Sequence, residues 1–208
     1  MAKQQLDPSY LPNPANPLHP VLATPLNGPW DEPHEIIYLA MGCFWGVERI
    51  MWRLPGVIAT ATGYMGGTVA HPSYEQVCTG QTGHAETVRV VYDPMRTEAE
   101  LILKTFWENH DPTQGNRQGN DIGTQYRSAI FYTTKHQRDR AYATRDAFQT
   151  VLTRAGFGPI TTQIISSDEA GRFYLAERYH QAYLHHMPHG YCNHGPNGMS
   201  CPIGVLDT

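Results

Sequence analysis

Proline divides this chain before any other signal is weighed. Eight of its sixteen prolines fall between Pro8 and Pro33, and three more, Pro188, Pro196 and Pro202, stand in the stretch 188–204. Each removes a backbone donor and fixes φ, so regular elements are confined to residues 35–187, the expected folded domain. Residues 1–34 then read as an extended arm draped over that domain, with an unstructured segment as the alternative. Residues 188–208 set Gly190, Gly195, Gly198 and Gly204 among the prolines and carry both Cys192 and Cys201. Such a stretch holds neither helix nor strand and is expected to be a mobile tail of the same single domain.

Between these ends the hydrophobic pattern switches between a strand-like and a helix-like period. Glu35 to Ala40 is a short apolar strand, and Phe44, Val47, Ile50, Met51 and Leu54 recur at helical spacing until Pro55-Gly56 stops them. Val57 to Tyr64 and Thr87 to Tyr92 read as strands, the second with Val88, Val90 and Tyr92 alternating. Glu98 to Asn109 places Leu101, Ile102, Thr105 and Phe106 on one helical stripe. A strand over 128–132, a long helix over 135–155 and a strand over 160–165 complete the series. The order β-α-β-β-α-β predicts an α+β fold, a two-layer split βαβ (ferredoxin-like) sandwich with an appended helix and strand.

A net charge of -4 argues against a nucleic-acid partner, because counterion release needs a basic surface. No apolar segment reaches membrane-spanning length and the N-terminus lacks the pattern of a secretory signal, so the expected location is the cytoplasm, with no membrane partner. Four cysteines are too few for a disulfide scaffold, and in a reducing compartment they serve packing, metal ligation or redox chemistry.

Cys43 is the one best placed for chemistry. It follows a strand directly and opens a helix, with Gly42 supplying the tight turn. Unpaired N–H groups and a partial positive charge at a helix start are expected to lower a thiol pKa. Phe44 and Trp45 beside it suit the wall of an apolar pocket for a small alkyl group. The plainer alternative makes Cys43 a packing residue and the two aromatics core.

Gly42-Cys43-Phe44-Trp45-Gly46 resembles the signature of the A-type peptide methionine sulfoxide reductases. Three further blocks follow in that family's order: Pro72 to Gly80 with Gly83-His84-Ala85-Glu86, Trp107 to Pro112, and Gly119 to Ser128. The resemblance spans roughly residues 36–192 and implies thiol-dependent reduction of methionine S-sulfoxide, free or peptide-bound. In that reaction a sulfur nucleophile attacks the sulfoxide sulfur while the oxygen is protonated, so one thiolate and one nearby acid still protonated near neutral pH are required. The matching positions make Cys43 the nucleophile and Glu86 the acid, with Phe44, Trp45, Tyr74, Asp121 and Tyr126 around the substrate. They also imply that Cys43 becomes a sulfenic acid, that Cys192 resolves it, and that Cys201 then leaves a Cys192–Cys201 disulfide for thioredoxin. No cofactor or metal is implied, and the family suggests a monomer. Cys78 reads as a packing thiol.

Two other readings use the same residues. A thiol hydrolase would pair Cys43 with His84 or His110 as base, but leaves the tail cysteines idle. A zinc-stabilised binding module would draw on His180, His185, His186, His189, Cys192, His194 and Cys201, yet their spacings fit no common zinc pattern. Histidines on a polar tail are expected to be solvated.

Overall fold

The computed structural model describes residues 17–204. Residues 1–16 and 205–208, and with them half of the expected arm and the end of the tail, lie outside the described residues. The elements run β1 (Glu35–Met41), α1 (Phe44–Met51), β2 (Val57–Met65), α2 (Tyr74–Cys78), β3 (Ala85–Tyr92), α3 (Ala99–Glu108), β4 (Arg117–Gln118), β5 (Asp121–Ile122), β6 (Ser128–Tyr132), α4 (Lys135–Arg154), β7 (Gln163–Ser166), α5 (Ser167–Ala170), β8 (Tyr174–Leu175) and α6 (Tyr183–His186). Six strands form one sheet in the order β7-β6-β1-β3-β2-β8. β1 pairs antiparallel with β3 and β6, β2 antiparallel with β3 and β8, and only β7 runs parallel to its neighbour. The short β4 and β5 pair apart from the sheet.

Side-chain alternation along β1 builds two buried layers. Ile37, Leu39 and Met41 point into the main core with Phe44, Val47 and Met51 of α1, Phe106 and Trp107 of α3, and Phe148 and Leu152 of α4. Ala40 points the other way, into a smaller cluster with Met65, Ala85, Phe131 and Ala170 of α5. Both faces of the central strands are covered, which is why β2 and β3 are buried along almost their whole length. The α3 stripe differs from expectation: Ala99, Ile102, Leu103, Phe106 and Trp107 are buried, whereas Leu101 and Thr105 are only half-buried. α3 packs against α4 as well as the sheet, so it buries two adjacent rows, and Trp107 Nε1 donates to Thr144 Oγ1 of α4 at 2.9 Å.

The described part of the arm, 17–34, lies on the sheet. Leu26 is buried, its carbonyl accepts from Arg89 of β3, and Thr24 donates to the Ile58 carbonyl of β2. His19 is fully buried against Glu48 of α1, with Thr60 Oγ1 2.9 Å from its Nε2.

Candidate active site

The turn from β1 into α1 fixes Cys43. Gly42 takes φ +98°, and a Cβ there would stand 2.6 Å from Gln118 Cβ, so the turn and the approach of β4 both require glycine. Cys43 caps α1 and is 6% exposed. The next backbone amide, Phe44 N–H, donates to Glu86 Oε2 at 3.0 Å. Glu86 is the second residue of β3, paired across the ladder with Tyr64, and is 2% exposed. Residues 43 and 86 meet because β1 and β3 are sheet neighbours.

The Cys43 thiol does not behave as a helix start alone would have it. Burial pushes its pKa well above the ordinary cysteine range, the Glu86 carboxylate adds to the rise, and Asp121 and Cys192 act the same way. The backbone N–H of Trp45 opposes them. Magnitudes decide the sign: a helix terminus contributes about 0.3–1 kcal/mol, under one unit at about 1.4 kcal/mol per unit. Full burial shifts a group by up to about 3–5 units. At rest Cys43 is therefore a thiol.

Around this pair stand neutral hydroxyls and aromatic rings. Burial first, and then the Glu86 charge, hold the Tyr74 and Tyr126 hydroxyls far above the usual tyrosine range, so both remain donors at working pH. Asp121 acts on Cys43 and Tyr126 alike. Its own oxygens accept from Tyr191 Oη at 3.0 Å and Asn193 Nδ2 at 2.8 Å, so it ties the tail to the site instead of capping its own turn. Trp45 stacks on Tyr183 at 4.0 Å between centroids, and its Nε1 donates to His180 Nδ1 at 3.0 Å. The His180 ring also packs on Phe44 and Tyr74. Glu177 accepts from Tyr64 Oη and from Tyr74 N, both at 2.8 Å. Glu177 and Tyr183 escaped the sequence reading, and His180 entered it only as a candidate zinc ligand; a histidine more than a hundred residues from Cys43 gives no spacing signal.

Among the described residues the tail has no helix or strand beyond α6, but it is docked rather than loose. Cys192 Sγ receives Arg49 Nη2 of α1 at 3.0 Å. His194 Nε2 lies 2.7 Å from the Met41 carbonyl, and Asn193 Nδ2 donates to the Gln118 carbonyl at 3.1 Å. Farther along, Asn197 Nδ2 donates to the carbonyls of Trp107 and His110 at 2.8 and 2.7 Å. Cys201 is 1% exposed and part of the main core, with its N–H on Glu108 Oε1 at 2.7 Å. All four cysteines are free thiols. The structure thus gathers Cys43, Glu86, Phe44, Trp45, Tyr74, Asp121, Tyr126 and Cys192, and sets Cys201 apart between α3 and α4.

Several expectations fail here. Cys78 is exposed, not packed, and shares a hydrogen bond with the Tyr74 hydroxyl at the site's rim. His180 is buried and His194 Nδ1 is sealed from water, so these two are not solvated tail histidines. The hydrolase bases are both engaged elsewhere. His84 Nδ1 accepts from Gly67 N and its Nε2 meets the Val69 carbonyl at 2.8 Å. His110 lies between the Phe106 carbonyl and Ser128 Oγ, with burial holding its pKa down to about 3. Among the described residues, no three His, Cys, Asp or Glu side chains converge as metal ligands.

Comparisons with known proteins point to one family. A family profile described as peptide methionine sulfoxide reductase matches residues 35–200. A peptide methionine sulfoxide reductase MsrA of Salinispora arenicola is 59% identical over 192 residues, covering 91% of this chain and 86% of the relative. The solved methionine sulfoxide reductase A of Corynebacterium diphtheriae superposes with a TM-score of 0.80 at 42% identity, over 98% of this chain and 95% of that one. Reduced Mxr1 of Saccharomyces cerevisiae gives 0.69 at 32% identity, over 79% and 92%.

Proposed function

The chain belongs to the peptide methionine sulfoxide reductase family, and from that premise we propose that it reduces the S epimer of methionine sulfoxide, free and peptide-bound, at Cys43. The observation that carries the reading is the buried Glu86 carboxyl, fixed 3.0 Å from the amide that follows Cys43. Burial makes protonating that carboxyl less costly than in water, and the protonated form is the one that can give a proton to the sulfoxide oxygen. Tyr74 and Tyr126 donate to that same oxygen, and Phe44 and Trp45 wall the S-methyl group. Attack by the Cys43 sulfur transfers the oxygen from substrate to enzyme, releasing methionine and leaving a Cys43 sulfenic acid. Because Cys43 rests as a thiol, its own proton replaces the one Glu86 has given up.

Cys192 then displaces the oxygen as water, and Cys201 takes over the disulfide for reduction by thioredoxin. Cys43, Glu86, Cys192 and Cys201 all come from one chain, which supports action as a monomer. Four free thiols suit the reducing cytoplasm, and no helix among the described residues is long and apolar enough to cross a membrane. The strand order β6-β1-β3-β2, with α1 crossing from β1 to β2 over β3, supports the split βαβ (ferredoxin-like) reading of the fold.

The test is an assay of both epimers of a methionine sulfoxide peptide, with dithiothreitol and with thioredoxin as reductant. Methionine should form from the S epimer under both. Equal rates on the R epimer, or none on the S epimer with either reductant, would overturn the reading.

A further inference from the structure

One turn past Cys43, α1 carries a second group of side chains that the sulfoxide chemistry does not use. A Cβ on Gly46 would stand 2.9 Å from Cys192 Sγ and 2.4 Å from His194 Nδ1. The thiol and the imidazole nitrogen share the notch left by that missing side chain. Arg49 closes it from the same helix, with Nη2 3.0 Å from the sulfur. His194 Nε2 faces the Met41 carbonyl at 2.7 Å. A carbonyl only accepts, so Nε2 carries the ring hydrogen and Nδ1 presents a lone pair. That Nδ1 is buried and has no hydrogen-bond partner, so its lone pair has lost its water without gaining a donor. Burial also holds the His194 pKa below the ordinary histidine value, against the Met41 carbonyl and Asp121 and with the help of Arg49, so the ring is neutral and able to accept a proton. His110, which faces it from the end of α3, is neutral as well.

We propose that His194 and Arg49 form the centre that drives the resolving step, His194 Nδ1 taking the proton of Cys192 while Arg49 holds the charge on its sulfur. The inference rests on the reading of Cys43 as the residue that becomes a sulfenic acid. In the step the Cys192 S–H bond breaks and a Cys192–Cys43 S–S bond forms. The S–O bond of the sulfenic acid breaks, and the departing hydroxide collects the proton from His194 and leaves as water. The Cys192 sulfur is oxidised and the Cys43 sulfur reduced by the same electron pair, so no outside oxidant or reductant enters.

The experiment mixes the full chain with one equivalent of the sulfoxide peptide and quenches it at short times. Released methionine reports the first step, and mass mapping of the Cys43–Cys192 disulfide reports the second. His194→Gln keeps an N–H for the Met41 carbonyl and removes the base. Arg49→Met keeps length without charge, and Arg49→Lys restores the charge. His194→Gln should release methionine at the parental rate and form the disulfide about 10²-fold more slowly. Sulfenic acid should accumulate and be trapped by a 1,3-diketone. Raising the pH should restore its rate, because hydroxide then does the work of the base, and the amides of 197–204 should keep the parental hydrogen-exchange protection, which a tail that had merely come undocked would lose. Arg49→Met should be slowed and Arg49→Lys largely recovered. A parental disulfide rate in His194→Gln, or a slow one that pH does not restore, overturns the base. Equal slowing in both Arg49 variants overturns the role of charge. No methionine from the parent would instead defeat the reading of Cys43, and this inference with it.

Discussion

Cys43 and Cys201 sit in opposite kinds of structure. Phe44, Trp45 and Glu86 beside Cys43 are carried by a helix start and a strand, and Glu86 reaches it through the register of adjacent strands. Cys201 lies in a stretch without regular structure, held by polar contacts that can be removed one at a time: Asn197 on two carbonyls, its own N–H on Glu108, and the Lys104–Glu108 pair beneath it. The first arrangement suits bond making and breaking, where positions are set before substrate arrives. The second suits exchange, because a thiol buried at 1% exposure must leave its place to meet Cys192. Cys192 belongs to both, being in the tail by sequence and on α1 by contact.

If the rigid end holds the chemistry, changes there remove whole orders of magnitude. Cys43→Ser should abolish reduction with any reductant, since a hydroxyl at that position is neither ionised nor polarizable enough to attack sulfur. Methionine released by that variant above the uncatalysed rate would place the nucleophile elsewhere. Glu86→Gln keeps the shape and the Phe44 N–H contact but has no acid to give, and should lower the rate of the sulfoxide step by about 10²–10⁴-fold. A single-turnover rate within a few-fold of the parent would pass the proton to another group.

The same contrast sets what the sequence could disclose. The strand, turn and helix around Cys43 are local in the chain, so hydrophobic period, Gly42 and the Pro55-Gly56 stop locate them. The direction of the Cys43 pKa is not legible there, because burial and the Glu86 and Asp121 carboxylates that set it meet the thiol only in the folded chain. Prolines and glycines revealed that the tail lacks regular structure, yet its docking depends on Asn193, His194 and Asn197 meeting distant carbonyls, which no periodicity records. Cys78 was misplaced for a related reason. The short helix α2 buries Val77 and turns the next residue outward.

The loose end should respond to pH through Cys201 itself. Burial pushes its thiol up to about 12, Lys104 working against the shift and Glu108 and Glu100 with it, while an undocked thiol keeps the ordinary value of 9.0. A raised docked-state pKa means that its contribution to docking is whole below pH 9 and is lost as pH climbs toward 12. From pH 9 to 11 the docked population should weaken by about fiftyfold relative to the undocked one. Hydrogen exchange of the amides in 197–204, compared with Cys201→Ala, isolates the effect. Identical pH profiles for the two proteins would show that the thiol does not control docking.

Asn197→Ala is the gentlest of these changes. It removes both side-chain bonds to the Trp107 and His110 carbonyls and the Oδ1 that accepts from Met199 N–H at 3.0 Å, but leaves the Asn197 N–H on the Glu108 carbonyl at 2.8 Å. A net loss of about 1.4 kcal/mol for such bonds corresponds to roughly a tenfold rise in the undocked tail. Alkylation of Cys201 at neutral pH should therefore quicken about tenfold, whereas methionine release in the first turnover, which needs only Cys43 and Glu86, should stay at the parental rate. If both rates moved together, the two ends would form one cooperative unit and the division between them would fail. If neither moved, the hold on Cys201 would lie in Glu108 and in burial of the thiol, and not in Asn197.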